Sequence, residues 1–314
     1  MAGNSRKTPT VRDIARASGV SATTVSFVLN DTPGQTIPDG TRERVRSAAR
    51  ELGYPTVLAR AFREGTTRTV VVAIGGLPRG TALDSFLDGL GGELARHGHS
   101  VAVLPSRGDA LTRTIDAISP RAVIDLGAIY SGAESDGQDG GWIDGLASHT
   151  LTQVRHLADL GHTRIAFAQP ASQNVTAMVT LRERHLCESA AVLNIARPVR
   201  LTLPDGSDVD AGALTAMVEE GVTAVAGFDD RSAARVLRAA AMSGIRIPED
   251  LSLIGFDDAG WGEFTAPALT TVRIEAFDYG RRAARGALGA STSTAPSPHS
   301  HVVERGSTAA AAQV

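Results

Sequence analysis

Cysteine is almost absent from this chain of 314 residues: Cys187 is the only one, which excludes an internal disulfide and a cysteine-clustered zinc site. No run of about 18 apolar residues occurs, so nothing reads as a membrane-spanning helix. The start, MAGNSRKTPT, carries charge with no apolar stretch behind it, unlike a secretory signal. The 8 histidines show neither HxxxH nor HExxH spacing, and no serine stands in a G-x-S-x-G elbow. Glycines cluster in DGLGGEL (88–94), but inside a helical pattern rather than between a strand and a helix, so they form no phosphate loop. Cys187 lies mid-helix without a histidine signature around it and reads as a packing residue. These absences exclude the common enzyme classes and point to a cytoplasmic protein with no metal, no cofactor and no membrane contact.

What is present is an ordinary globular composition, 42% hydrophobic and 21% charged, with room for two or three compact units. The net charge of -3 conceals a division. Residues 1–68 hold 11 Lys/Arg against 6 Asp/Glu, a net +5, so the remainder carries 20 against 28, a net -8. A basic segment on an acidic body predicts two different partners, a polyanion being natural for the first; a small segment also fluctuates by a few charges without meaning.

Residues 1–9 read as a disordered tail. Thr10 with Asp13 reads as a capping box opening a helix whose apolar face holds Val11, Ile14 and Ala15, and Gly19 ends it. Ser21 caps a second helix running to about Asn30, with Val25, Val28 and Leu29 inward. A third, from about Asp39 to Leu52, places Val45, Ala48, Ala49 and Leu52 at helical spacing and is closed by Gly53. These elements make residues 10–55 an all-α helix-turn-helix unit, followed by a linker at 56–68. The stretch VLARAFR (57–63) is too short to be a stable helix without a partner.

From Thr69 to the end, 69–314, short apolar runs alternate with amphipathic segments. Strands are expected at TVVVAI (69–74), SVAVL (100–104), AVIDL (122–126), RIAFA (164–168), VRLTL (199–203), TAVAGF (223–228), LSLIGF (251–256) and TTVRI (270–274), with a short one near His301–Val303. Helices are expected at Leu83–Arg96, Leu151–Leu160, Arg182–Leu193, Ala213–Glu219, Ser232–Met242 and Asp278–Leu288. Such alternation means parallel sheets covered by helices, in one large sheet or two smaller lobes. The stretch STSTAPSP (291–298) is low-complexity and reads as a surface loop.

TVRDIARASGVSATTVSFVLND and TRERVRSAARELGY together resemble the headpiece of the lactose-repressor family of bacterial regulators, over about residues 10–63. LADLGHTRIAF (157–167), GIRIPEDLSLIGFDD (244–258) and PALTTVR (267–273) resemble the same family's sensor. The resemblance implies a DNA-binding headpiece on a two-lobed α/β sensor like that of periplasmic sugar-binding proteins, working as a homodimer on a pseudo-palindromic double-stranded operator, in the cytoplasm on the nucleoid. A helix-turn-helix offers the N-terminal end of its second helix to the major groove. Ser21, Thr24, Ser26 and Asn30 there suit phosphates, while Ala22, Thr23 and Phe27 face base edges. Thr10, Arg12, Thr41 and Tyr54 complete the expected DNA-contacting set. Phe27 stands where arginine is common in the family; it either touches a thymine methyl or packs on the headpiece core. In the hinge, Ala59 and Arg60 match minor-groove positions and Phe62 the apolar wedge, where leucine is usual. The alternative is a plain linker helix with Phe62 docked on the body. Pro55-Thr56 brings the hinge one residue closer to Tyr54 than the family pattern does.

The sensor resemblance implies effector contacts at Arg182, Asp229 and Asp257, since ligands in such folds sit beyond the carboxyl ends of strands. Two carboxylates and a guanidinium suit a carbohydrate-like effector. Against this, either aspartate could simply cap the next helix, and Arg182 could be a surface charge. The first lobe is shortened: AVIDL is followed by GAIYSGAESDGQDGG, too glycine-rich and polar to bury a helix face. No aromatic obviously stacks on a sugar there, Trp142 and Trp261 being the nearby candidates. Three functions compete: an effector-controlled transcription regulator, with a repressor implied by the resemblance; a DNA-binding regulator or architectural protein whose degenerate sensor binds nothing; and a ligand carrier, which the basic headpiece opposes.

Overall fold

The structure is a computed structural model and describes residues 9–29, 32, 34–52, 54, 67–75, 77, 80–105, 108–130, 137–171, 176–205, 209–290 and 299–311. The hinge stretch with Ala59, Arg60 and Phe62 lies outside the described residues, as do Asn30, Gly53, Pro55-Thr56, residues 1–8 of the tail and 291–298.

Three helices form the headpiece: α1 (Val11–Ser18), α2 (Ala22–Leu29) and α3 (Asp39–Glu51). Asp13 anchors the start of α1, its carboxylate accepting from the Thr10 backbone N–H at 2.8 Å and the Thr10 hydroxyl at 2.7 Å. Gly19, at φ 66°, takes the left-handed turn that stops the helix. Ser21 Oγ accepts from the Thr24 N–H at 3.0 Å and so opens α2. Ile14, Val25, Val28, Val45, Ala48 and Ala49 meet in one core. Helical spacing assigns Leu52 to that core, but it is 40% exposed, because α3 ends at Glu51 and the side chain falls past the last turn.

The body begins with β1 (Thr69–Ala73), α4 (Thr81–Arg96), β2 (Ser100–Leu104), α5 (Asp109–Ile118), β3 (Ala122–Asp125), the single turn α6 (Leu126–Ile129) and α7 (Trp142–Asp159). It continues through β4 (Ile165–Pro170), α8 (Thr176–Val192), β5 (Val199–Leu203), α9 (Ala211–Glu219), β6 (Ala224–Gly227), α10 (Asp230–Ser243) and β7 (Ser252–Ile254). A 3₁₀ turn (Gly262–Phe264), β8 (Thr271–Ile274), α11 (Phe277–Ala287) and β9 (Ser300–Val303) complete it. Periodicity leaves open one sheet or two; there are two parallel sheets, ordered β2-β1-β3 and β5-β4-β6-β7, with an antiparallel β8-β9 ribbon beside them. No helix among the described residues is long and apolar enough to cross a membrane.

Three features differ from expectation. Helix α5 has no counterpart among the expected helices: Leu111 is its one fully buried side chain, so its apolar pattern is thin. Helix α7 begins at Trp142 rather than near Leu151, because the buried Asp139 supplies a cap, accepting from Gly141 N–H at 3.1 Å and Ile143 N–H at 2.6 Å. The glycine-rich segment after β3, too polar by composition to bury a face, does bury Leu126, Ile129 and Tyr130 at its start. The early start lets α7 link the lobes. Trp142 stacks on Phe86 of α4 with ring centroids 4.9 Å apart, while Gln153 donates to the Gly227 and Gly255 carbonyls, both at 2.9 Å.

Helix α11 returns to the first lobe and packs on α4 with almost no gap. A Cβ on Gly280 would lie 1.9 Å from the Phe86 carbonyl oxygen, and one on Gly89 would lie 2.0 Å from that of Phe277. The same crossing buries Glu93, which accepts from Arg285 Nε at 2.7 Å, Arg96 Nη1 at 2.9 Å and Arg281 Nε at 3.4 Å. Hydrogen bonding from Arg285 foremost, against the cost of burial, holds its carboxyl down at about 2.

Candidate DNA-reading surface and effector cleft

On the headpiece, Ser21, Ala22 and Thr23 at the start of α2 are exposed, Thr24, Ser26 and Phe27 are half-buried, and Val25 and Val28 face the core. This is what a recognition end requires: small polar side chains outward, anchored by aliphatic ones inward. The hydroxyls of Ser21 and Thr24 lie 2.8 Å apart and hold each other in place. Among the described residues, Phe27 is half-buried and is not one of those forming the headpiece core or packed against it. Arg12 is exposed; Thr41 is half-buried beside Arg44. Tyr54 packs against the core, so it has a structural task whatever it does toward DNA. Arg42, not singled out by sequence, donates to the Ile37 and Gln35 carbonyls at 3.2 Å each and ties down the loop before α3.

In the body a cleft partly open to solvent lies between the carboxyl ends of the strands of both lobes. All three residues expected to touch an effector line it: Arg182 from α8, Asp229 after β6 and Asp257 after β7. Arg182 is no surface charge. It is 1% exposed, lies in the second turn of α8 rather than opening it, and sits with its guanidinium carbon 3.4 Å from the Phe256 ring centroid. Its Nη1 donates to the Phe228 carbonyl and its Nη2 to Gln153 Oε1, both at 2.9 Å, while Nε has no partner among the described residues. Burial lowers its pKa to about 9, against the pull of Asp229 and Asp257, so it remains a cation at neutral pH.

The two aspartates divide between the readings open to them. Asp229 does cap its own helix, accepting from Ser232 N–H at 2.7 Å, and lines the cleft as well. Asp257 caps nothing of its own; its Oδ1 accepts at 2.9 Å from the N–H of Ala82, in the other lobe. Burial raises its pKa to about 7, with the neighbouring Asp230 and Asp229 adding to the rise and the Ala82 N–H and Arg182 opposing it. The rest of the wall is apolar and aromatic, including Leu83, Tyr130, Trp142, Met178, Phe228 and Phe256.

Comparison with known proteins fits both halves. The family model for bacterial regulatory proteins of the lacI family matches residues 10–56, and that for a periplasmic binding protein-like domain matches residues 154–308. The HTH-type transcriptional regulator reg1 of Streptomyces lividans is 30% identical over 348 residues, covering 97% of this chain and 98% of its own. The chain belongs to the lacI family of bacterial regulatory proteins. The HTH-type transcriptional repressor PurR of Vibrio vulnificus is 27% identical over 301 residues, covering 84% of this chain and 86% of its own. A crystal structure of the lac repressor dimer bound to operator and the anti-inducer ONPF superposes with a TM-score of 0.71 at 22% identity, covering 97% of this chain and 100% of that one. This lacI-family chain is therefore a DNA-binding transcription regulator: a helix-turn-helix headpiece joined to a periplasmic-binding-protein-like α/β sensor with parallel sheets.

Several members of this regulator's cleft are not marked by the sequence pattern. Tyr130 comes from the glycine-rich stretch after β3, and Trp142 stood only as a nearby aromatic; the two rings meet edge-on at 6.0 Å. Trp261, an equal candidate by sequence, is 38% exposed and does not line the cleft. Gln153 is fully buried and positions Arg182. A glutamine one turn from Leu157 on the inner face of a helix was a usable signal, since a buried amide needs partners. In lobe one the sheet has three strands among the described residues, in keeping with a shortened lobe.

Proposed function

We propose that this lacI-family regulator is a repressor. It works in the cytoplasm as a homodimer that reads a pseudo-palindromic operator, and its affinity is set by a small carbohydrate-like effector. It acts by binding, without catalysis. The observation that carries the reading is the convergence of Arg182, Asp229 and Asp257, from three separate elements, on one cleft. A buried guanidinium beside two carboxylates offers both a donor and acceptors to vicinal hydroxyls, and the aromatic wall suits the apolar face of a ring. On DNA, Thr10, Arg12, Ser21, Thr24, Ser26, Asn30, Thr41 and Tyr54 contact the backbone, and Ala22, Thr23 and Phe27 meet base edges. Ala59 and Arg60 lie in the minor groove with Phe62 as wedge. Exposed Trp261 and Phe264, the latter 81% exposed, give a second copy an apolar surface to cover. Effector binding couples to the headpieces by roughly 1–3 kcal/mol.

A second reading has an observation of its own. Both Nη groups of Arg182 already donate within the protein and the cleft wall is largely apolar, as expected of a sensor that has ceased to bind an effector. Selection of bound DNA from a random pool, followed by titration against salt, tests the operator half. A short palindrome with a steep salt slope supports it, and sequence-independent binding sinks it. Thermal shift of the full chain against a panel of mono- and disaccharides tests the effector half. A ligand whose shift is lost in Arg182→Met supports a working sensor, and no shift from any sugar supports the degenerate one.

A further inference from the structure

Helix α4 starts without a cap of its own. Gly80 stands at its N-cap, with no side chain to meet the free amides of the first turn, and no side-chain cap bond forms there from within the helix. The missing partners come from the other lobe. Asp257 Oδ1 accepts from the Ala82 N–H at 2.9 Å, and the Asp258 carbonyl accepts from the Thr81 hydroxyl at 2.6 Å. The carboxylate lies so close to the helix end that a Cβ on Gly80 would sit 1.7 Å from Asp257 Oδ2.

The arm bearing these groups is rigid and strained. Asp257 and Asp258 have φ of 96° and 44°, a region that residues with side chains rarely adopt, and such backbones collect at functional sites. The turn is pinned from below. Asp230 accepts from Phe256 N–H at 2.8 Å and Ala259 N–H at 2.7 Å, and Asp257 N–H donates to the Val272 carbonyl at 2.8 Å. Beside it, the Asp258 carboxylate is clamped by Arg273 Nε at 2.6 Å and Arg305 Nη2 at 2.9 Å. With its base held by so many bonds, the weak joint of this arm is the contact with α4.

The geometry points to a latch: the Asp257–Asp258 turn of the second lobe holds the N-terminus of α4 in the first, and a ligand hydroxyl that takes Asp257 Oδ1 displaces the Ala82 N–H. Effector binding at that oxygen and the latch then compete, so occupancy of the cleft loosens the lobes at this point. This rests on the reading of the cleft as the effector site, but the latch can be measured with no ligand added.

The test is hydrogen exchange on the full-length protein with Thr81→Val, Thr81→Ser and Gly80→Ala, none of which alters a residue assigned to effector binding. Loss of one part-buried hydrogen bond predicts roughly 2–12-fold faster exchange in Thr81→Val, confined to peptides over the start of α4 and the 256–259 turn, with Thr81→Ser close to wild type. Gly80→Ala should loosen the same two segments at least as much, because its methyl and the Asp257 carboxylate cannot share the space. Should that variant fail to fold, the Thr81 pair decides alone. Protection in Thr81→Val equal to wild type would overturn the latch, and so would loosening spread evenly over the body. Neither result bears on the sugar panel. A normal panel with no loosening removes the latch and keeps the sensor; local loosening with an empty panel does the reverse.

Discussion

Replacing Asp257 by Asn should stabilise the protein at the cost of its ligand response, and the gain should grow with pH. The Asp257 carboxyl titrates at about 7 in the folded chain, against 3.8 for an ordinary aspartate. For a carboxyl raised in this way the folded state holds the proton more tightly. Its stabilising contribution is therefore complete below the unfolded pKa and is lost as pH rises through the folded one. Each tenfold difference in proton affinity between the two states is worth about 1.4 kcal/mol. Between those two values, the ionising group costs about 2 kcal/mol of stability by pH 5 and about 4 kcal/mol by pH 8. Asparagine is neutral throughout, tolerates the left-handed backbone, and can accept from Ala82 N–H as the carboxylate does. The variant's advantage in urea unfolding should thus widen by about 2–3 kcal/mol between pH 5 and pH 8. Asp230, raised to about 6, titrates in both proteins and largely cancels from the difference. An advantage flat with pH, or a variant less stable than wild type at pH 8, would show that the carboxylate is not desolvated as the structure has it.

Gln153→Leu removes the acceptor from a buried guanidinium and the donors from two buried carbonyls. It should cost about 2–4 kcal/mol in chemical denaturation, and a loss below about 1 kcal/mol would mean that Arg182 finds another partner readily. Gly280→Ala places a methyl 1.9 Å from the Phe86 carbonyl oxygen, so α11 must move off α4. A melting temperature unchanged by that substitution would contradict the close crossing, for which overpacking predicts a loss of about 1–3 kcal/mol. Thr23→Ala removes an exposed side chain at the recognition end of α2 and should change base preference at one position of each half-site. Equal affinity for every operator variant would show that α2 is not the reading helix.

Much of the architecture was legible because it is written locally. Thr10 with Asp13, Ser21, and Gly19 mark helix ends through bonds to neighbours a few residues away, and the apolar runs from β1 to β8 mark strands by their own composition. Asp229 and Asp257 could be placed at strand ends on the same grounds. The tertiary structure alone decided what those residues meet. Two sheets rather than one follow from strand pairing, which apolar runs do not encode, and α7 starts early because of Asp139, which only folding buries. Tyr130 and Trp142 could be seen as aromatic, but their place in a cleft wall depends on α4 and on each other. Arg182 looked equally like a surface charge until Gln153, 29 residues earlier, supplied its acceptor. Asp257 finds its partner in Ala82, 175 residues away in the chain. A backbone N–H at a bare helix end is the same in every sequence, so which carboxylate will cap it is settled only when the lobes come together.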